Sequence, residues 1–439
     1  MTTTVTPLWR QLAASARVLA GLRAGRALTP QLDRVDGELR PAVQALTYQA
    51  LRNLGRAQAL RALLARRAPP APADALLCLA LALGWRVEDA PYAPHTLVDQ
   101  TVEAATRDHA LRGQAAFLNA CLRRFLRERE ALVEQSASDP TARWNLPPWW
   151  IQRLQRDHPG RWQAVASAGA HQAPMVLRVN CRQTPVDVFL QTLLDTGIGA
   201  QAMGEFGVML ERPMPVQAIP GFSEGRFSVQ DGAAQMAAPL LLGRWPDRSS
   251  LNVLDACAAP GGKTAHLLEL GVGRVTALDI DPSRCERISQ NLQRLQLQAR
   301  ILAADAAQPK SWWDGEPFDA ILLDAPCTAS GIVRRHPDIP WMRRETDVPQ
   351  LAAQQSKLLE RLWPLLKVGG QLLFCTCSVF REEGSERVET FVANNKDAHL
   401  LPSPGHLMPR NGATPDAVPD NEPVDHDGFF YALLEKLPR

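Results

Sequence analysis

Apolar residues recur at helical spacing through the first third of the chain and change period after it. Ala, Leu and Arg, which are strong helix formers, dominate residues 1 to about 140. Their spacing predicts helices over 8–22, 38–54, 56–66, 74–84, 95–108 and 112–134, with Pro, Gly or Asp at the breaks. The Ala-Pro-rich stretch 68–73 reads as a loop between helices, too short for a domain linker. Composition shifts at Asp139-Pro140, and Leu146-Pro147-Pro148-Trp149-Trp150 opens a new unit. A helix over 149–169, a strand over 175–180, a helix from Thr184 to about Asp195 and short strands near 207–211 and 226–229 predict a small α/β module over 145–235. A helix over 232–242 then leads to the last part of the chain.

From residue 251 the pattern alternates regularly. Strands are expected at 251–255, 274–279, 300–303, 318–323 and 371–376, with helices at 262–270, 283–296, 346–365 and 384–395. A Pro/Gly/Asp-rich loop is expected over 402–427, before a closing strand at 428–434. Strands alternating with helices predict a mostly parallel, doubly wound α/β sheet. No internal repeat or low-complexity tract is evident.

Bulk properties narrow the class. A chain of 439 residues suggests two to four domains. A hydrophobic fraction of 46% is ordinary for a soluble protein, and no apolar run reaches transmembrane length. The N-terminal segment is interrupted by Arg10, Arg17, Arg23 and Arg26, so it reads as a helix of the mature protein and not as a secretory signal. Eight cysteines in a chain this long make no disulfide framework, and none forms a C-x2-C pair, so no metal site is expected. A reducing cytoplasm follows as the expected compartment. Net charge is +2 overall, but residues 1–140 hold 18 Arg, no Lys and 13 acids, hence +5, leaving −3 for the remainder. A basic first third suits a polyanionic partner, and it equally suits an ordinary Arg-rich solvated surface.

Candidate chemistry collects at predicted strand ends, where an open α/β sheet binds its ligands. Residues 251–264, LNVLDACAAPGGKT, form a strand ending in Asp255, a Pro260-Gly261-Gly262 corner and the start of a helix at Lys263-Thr264. Glycines there allow a strained turn and close backbone approach to a ligand. Pro260 breaks the dinucleotide fingerprint, and no Walker spacing is present. Asp279 ends the second strand, where an acid can accept both hydroxyls of a ribose; the helix-capping role fits Asp281 better. Asp305 suits an adenine amino group and a turn equally well. Asp324 ends the strongly apolar run 320–323, where a carboxylate has few structural reasons to stand.

Two cysteines are set apart by position. Buried cysteine is by default a small hydrophobe, and Cys78, Cys121, Cys181 and Cys285 take that reading. Cys327, in Asp324-Ala325-Pro326-Cys327, and Cys377, in Thr376-Cys377-Ser378, each sit just past a strand end beside small residues. A thiolate nucleophile needs a setting that favours its ionised form, and Lys263, Arg334, Arg335 and His336 are candidate cations.

With these residues in view, the whole chain resembles the RNA 5-methylcytosine methyltransferases of the Sun/Fmu/RsmB group. The resemblance rests on 255–263, on Leu278-Asp279-Ile280-Asp281, Asp324-Ala325-Pro326-Cys327, Arg335-His336-Pro337-Asp338-Ile339 and Thr376-Cys377-Ser378. It implies an α/β fold with a Rossmann-type class I methyltransferase domain over 236–439. It also implies an N-terminal all-helical NusB-like RNA-binding domain over 1–140 and a small RRM-like α/β insert over 145–235. By motif, Cys257, Ala258, Ala259, Pro260, Gly261, Gly262 and Lys263 line S-adenosyl-L-methionine. Asp279 matches the ribose-binding acid, Asp305 the acid near the adenine, and Asp324 lies by cofactor and target base. Cys377 matches the nucleophile and Cys327 the cysteine linked to product release. Cys375 is a neighbour with no assigned role.

The implied reaction is methyl transfer to C5 of a cytosine in 16S rRNA, cytosine 967 for a true member of the group, through a cysteine–C6 adduct. The implied partner is ribosomal RNA, with neither membrane nor metal, and a monomer is the default state. The same chemistry on tRNA or another rRNA site is the nearest alternative. A non-catalytic RNA-binding assembly factor is a more distant one, opposed by the intact Cys327 and Cys377.

Overall fold

The structure is a computed structural model that describes residues 6–88, 90–409 and 425–438. The chain divides into two compact units, Met1–His171 with Val333–Glu345, and Gln172–Ile332 with Thr346–Arg439.

The first unit is helical throughout its described residues. Its centre is Ala71–Gly84, a helix apolar on every side and therefore enclosed by others. Every residue from Ala73 to Gly84 is buried, and Leu8–Arg23, Arg40–Leu51, Leu54–Leu64, Pro94–Arg107 and Ala115–Arg127 pack around it. Asp74, in the first turn of that central helix, is closed by Arg23 at 2.7 Å and Arg61 at 3.0 Å. Two long expected helices are broken. The stretch 112–134 becomes a short 3-10 turn and the helices Ala115–Arg127 and Arg129–Ser136, and 149–169 becomes Pro148–Asp157 and Trp162–Ala170. The second break falls at Pro159-Gly160, residues that interrupt a helix at low cost to the flanking turns. Two short helices, Leu28–Asp33 and Pro140–Trp144, were too brief for periodicity to reveal.

Val333–Glu345 belongs to this helical unit and carries the short helix Ile339–Met342. Trp341 and Met342 pack against the helical core, and the Trp341 indole donates to the Leu51 carbonyl at 3.3 Å. Arg52 donates to the Arg334 carbonyl at 3.0 Å.

The second unit contains two sheets. β1 (Met175–Val179), β2 (Ala200–Met203), β3 (Gly207–Leu210) and β4 (Phe227–Val229) form an antiparallel sheet in the order β2-β3-β1-β4, backed by helix Val186–Asp195. β2 was not foreseen, because its four residues show no apolar alternation. The expected helix 232–242 is interrupted at Met236 into Gly232–Gln235 and Ala237–Leu242.

The larger sheet comprises β5 (Asn252–Ala256), β6 (Arg274–Asp279), β7 (Arg300–Ala303), β8 (Phe318–Asp324), β9 (Leu366–Thr376), β10 (Ala398–Leu407) and β11 (Phe429–Lys436). Its order is β10-β11-β9-β8-β5-β6-β7, with five parallel strands and an antiparallel β11 between β9 and β10. This is the Rossmann-type doubly wound α/β architecture that the alternating pattern predicts. Both faces are covered, so alternate residues enter different cores. Val253, Ala320, Leu322 and Leu373 pack on one side, and Leu254, Ile321, Leu323 and Leu372 on the other. The expected loop over 402–427 is corrected: β10 runs on through Leu407, and 410–424 lie outside the described residues. Pro402 and Pro404 concealed the strand, yet proline is tolerated at a sheet edge, and a register shift between Leu401 and Gly405 absorbs them.

From β5 the chain winds outward through β6 and β7, then returns to the other side of β5 as β8 and continues to β9. The strand order therefore reverses between β5 and β8, and their carboxyl ends are the place where sheets of this kind bind ligands in a crevice. Among the described residues no helix is long and apolar enough to cross a membrane, and no group of three or more His, Cys, Asp or Glu side chains could hold a metal ion.

Candidate functional site

The crevice is built by the residues immediately after β5, β6, β8 and β9. After β5, Cys257 takes φ +61°, the Ala259–Pro260 peptide is cis, and Gly261 at φ +93° turns the chain into helix Gly262–Glu269. A side chain at Gly261 would be strained by that φ and would sit 3.0 Å from Ile288 Cγ2, so glycine is required there. Asp255, wholly buried, accepts from Thr264 Oγ1 at 2.6 Å, and burial pushes its carboxyl up to about 7. Burial likewise pushes the Cys257 thiol up to about 12, helped by the charges of Asp324 and Asp279.

Asp279 turns back towards the glycine corner. Its Oδ2 accepts from the Ala259 amide at 3.1 Å, Oδ1 accepts from Asp281 N at 3.2 Å, and Arg284 lies 3.4 Å away. Asp281 caps the next helix by accepting from Ser283 N at 2.8 Å, the division of roles that the sequence favoured. Asp305 accepts from the Ala307 amide and the Gln308 side chain, both at 2.9 Å, so it holds the turn after β7.

Asp324 and the cysteines lie together. Lys263 Nζ donates to Asp324 Oδ2 at 2.6 Å, and the Cys375 thiol lies 3.6 Å from Oδ1. Burial opposes the charge on Lys263, but Asp324, Cys375 and Cys377 together outweigh it and raise the pKa above the ordinary lysine range. Lys263 also faces the Phe429 ring, 5.3 Å from its centroid. Cys327 and Cys377 approach to 3.5 Å between sulfurs, although they are 50 residues apart in sequence. Their meeting follows from the sheet: β8 and β9 are parallel neighbours, with Asp324 opposite Cys375. The sulfur–sulfur hydrogen bond, then burial, then the charges of Cys377 and Glu383 hold the Cys327 thiol well above its ordinary pKa. Either sulfur can donate in this contact. Cys375 is wholly buried, and burial and Asp324 raise its thiol too.

The structure thus brings Lys263, Asp324, Cys327 and Cys377 together, with Cys375 beneath them. Among the other candidate cations, Arg334, Arg335 and His336 belong to the helical unit. Cys78, Cys121 and Cys285 are buried as expected, whereas Cys181 is exposed in the turn after β1, against its reading as a core residue.

Two contributors escaped the sequence reading. Arg178 on β1 is fully buried and donates to the Gly262 carbonyl at 2.7 Å, bracing the glycine corner from the small sheet. Its signal was an arginine inside the apolar run MVLRV. Glu383, also fully buried, accepts from the Thr328 amide at 2.8 Å and from Ser378 Oγ at 2.7 Å. A glutamate just before a helix is ordinary dipole chemistry, which hid it.

Comparison with known proteins agrees with this geometry. Residues 246–435 match the sequence model of 16S rRNA methyltransferase RsmB/F, and 146–217 match the ferredoxin-like domain of RsmF/B-like methyltransferases. Ribosomal RNA small subunit methyltransferase B of Pseudomonas putida is 39% identical over 447 residues, spanning 97% of this chain and 98% of that protein. The protein of the same name from Vibrio vulnificus is 38% identical over 436 residues, spanning 97% and 99%. A methyltransferase homologue from Pyrococcus horikoshii, solved by crystallography, superposes with a TM-score of 0.56 at 27% identity, covering 68% of this chain and 97% of that one.

Proposed function

The chain belongs to the RsmB family of 16S rRNA methyltransferases, and from that premise we propose that it methylates C5 of a cytosine, cytosine 967, using S-adenosyl-L-methionine and a covalent Cys377–C6 adduct. The observation that carries this reading is the pair of sulfurs, Cys327 and Cys377, 3.5 Å apart just past the ends of neighbouring β8 and β9.

The residues fit such a cofactor. Asp279, Asp305 and Asp324 give the crevice an acidic lining, suited to a sulfonium cation. Each bonded carboxylate oxygen of Asp279 keeps a further lone pair for a ribose hydroxyl. Cys257 to Lys263 would hold the cofactor along the corner, with Asp305 near its adenine. When bound, S-adenosyl-L-methionine supplies an electrophilic methyl group.

Carbon 5 of cytosine has no lone pair to attack that methyl. The Cys377 thiolate adds to C6, forming an S–C6 bond and making C5 enamine-like. Asp324 in its acid form donates a hydrogen bond to N3 and offsets the developing charge, and the Lys263 ammonium, 2.6 Å from its Oδ2, adds a positive charge beside the base. C5 would then take the methyl group as its bond to the sulfonium sulfur breaks and S-adenosylhomocysteine leaves; loss of the C5 proton to a base or water would return its electrons to the C5–C6 bond and expel the Cys377 thiolate. Cys327, in contact with that sulfur, serves this last stage. C6 is inaccessible inside a helix, so the target is single-stranded or flipped out.

In the same reading, 1–140 is a NusB-like RNA-binding domain, 145–235 an RRM-like extension and 236–439 the catalytic domain, with RNA held largely by phosphate and shape contacts. The protein acts as a monomer in the cytoplasm and without a metal ion. Its eight free cysteines accord with a reducing compartment.

The test is tritiated methyl transfer to unmethylated small-subunit rRNA and to tRNA, with the product mapped. Label at C5 of one rRNA cytosine, lost in Cys377→Ala, is the expected result, and Cys327→Ala should accumulate a denaturant-resistant RNA adduct. Label on tRNA alone would overturn the substrate. Absence of any adduct would sink the thiol-addition route, and tight RNA binding without label would leave an assembly factor.

A further inference from the structure

We propose that Glu383 is the positioning residue that fixes the two site cysteines relative to each other; the inference rests on the methyl-transfer reading above for its kinetic consequence only.

Glu383 lies just before helix Ser385–Asn394. Its carboxylate is fully buried and receives four donors. Oε1 accepts from the Thr328 amide at 2.8 Å and from Gln355 Nε2 at 3.4 Å, and Oε2 accepts from the hydroxyls of Thr328 and, at 2.7 Å, Ser378. Thr328 follows Cys327 and Ser378 follows Cys377, so one carboxylate grips the residue after each cysteine. A second tie runs alongside, with Ser330 and Ser378 hydroxyls 2.8 Å apart and the Val379 amide donating to Ser330 Oγ at 2.9 Å. Gln355 extends the clamp by donating to the Pro326 carbonyl at 2.9 Å, one residue before Cys327. These four partners are all donors, which suits an ionised carboxylate with about four acceptor sites and no hydrogen to place. Charge-assisted bonds are roughly twice as strong as neutral ones, and deep burial keeps water from replacing them.

The register of β8 and β9 brings the two loops to neighbouring strand ends, but a loop beyond a strand has rotational freedom. The carboxylate removes it. Adduct formation at Cys377 and its release with Cys327 both need the sulfurs held in one arrangement, and a misplacement of about 1 Å can cost ~100-fold in rate.

The experiment uses the full chain and two readouts. In the first, dibromobimane, a reagent that bridges neighbouring thiols, is applied and the Cys327–Cys377 bridge is identified by fragment mass, with monobromobimane labelling of Cys377 as control. In the second, kcat and KM for S-adenosylmethionine are measured on unmethylated small-subunit rRNA. Glu383→Ala should slow bridging by ~10-fold or more and lower kcat by ~100-fold, with KM and single-thiol labelling changed by no more than about three-fold. Glu383→Gln keeps the length but turns an amide towards donors, and should fall between, as should Thr328→Val, which removes one hydroxyl donor. Should Glu383→Ala fail to fold, these two milder variants decide. Unchanged bridging and kcat in folded Glu383→Gln and Thr328→Val would overturn the proposal. If Cys377→Ala retained activity, the methyl-transfer reading would fail, while the bridging rates would still report on Glu383.

Discussion

Helix Gly262–Glu269 carries an ion pair at each end, one half-buried and one fully buried, and the two pairs differ in how they are closed. At its start, Lys263 meets Asp324 at 2.6 Å with side-chain exposures of 10% and 31%. At its end, Glu269 meets Arg178 at 2.8 Å with exposures of 3% and 0%. Arg178 commits four of its five N–H donors: two bonds to Glu269, one to Gln230 and one to the Gly262 carbonyl. Those bonds offset the desolvation of both charges. Asp324 accepts one strong bond, from Lys263, while its other oxygen meets only the weak Cys375 donor. A buried charge pair that is closed holds the fold. One that is half open, with acceptor capacity to spare, is where the proposed chemistry is placed.

The sharpest test of that contrast is Asp324→Asn. It keeps the shape and removes the acid, so kcat should fall by ~10²- to 10⁴-fold, the range for a lost general acid. The urea midpoint should move little, since solvent reaches the site and rehydrates Lys263. A loss of activity under ten-fold would remove Asp324 from the reaction.

Arg178→Met should show the reverse pattern. It strands Glu269 in a buried site, which costs about 3–5 kcal/mol of stability by urea denaturation. At a temperature where the variant remains folded, kcat should stay within about three-fold, with KM for S-adenosylmethionine raised, because the Gly262 carbonyl has lost its brace. The double variant Arg178→Met/Glu269→Leu should recover more than half of the lost stability, since the price of a stranded charge disappears. A double variant no more stable than the single one would mean the pair contributes by its attraction and not by mutual neutralisation.

The same contrast explains what sequence alone discloses. Asp324, Cys327 and Cys377 were legible because each falls at or just past an apolar strand end, and position in an open α/β sheet follows from order along the chain. Lys263 was legible by its place after the glycine corner. Arg178 and Glu383 were not, because their roles arise from partners far away in sequence: Glu269 and Gly262 for one, Thr328 and Gln355 for the other. Periodicity located most helices and strands, but not the breaks at Glu128 and Met236, where the sequence carries no proline or glycine. It also missed β10, whose prolines imitate a loop until the edge position of the strand is known.

A smaller effect tests Asp255, the third acid near the glycine corner, which resembles Glu269 in burial but has no bonded cation. Thr264 is its hydrogen-bond donor on Oδ2, and Oδ1 has no partner among the described residues. Burial raises its pKa from 3.8 to about 7. The sign follows from where the proton is held. Below pH 4 both folded and unfolded chains keep it, and between pH 4 and 7 only the folded chain does, so stability falls as pH rises through this window. Above pH 7 both are ionised and the loss is complete. Asp255→Asn cannot ionise and escapes that loss, but it buries an amide with unpartnered hydrogens, costing about 1–3 kcal/mol at every pH. The variant should therefore be less stable than wild type at pH 4 and gain on it steadily up to pH 7, ending about 1–2 kcal/mol more stable at pH 8. Urea midpoints at four pH values would show the crossing. A difference constant with pH would mean that Asp255 is already ionised in the fold and that Lys263, nominally committed to Asp324, is shared between both acids.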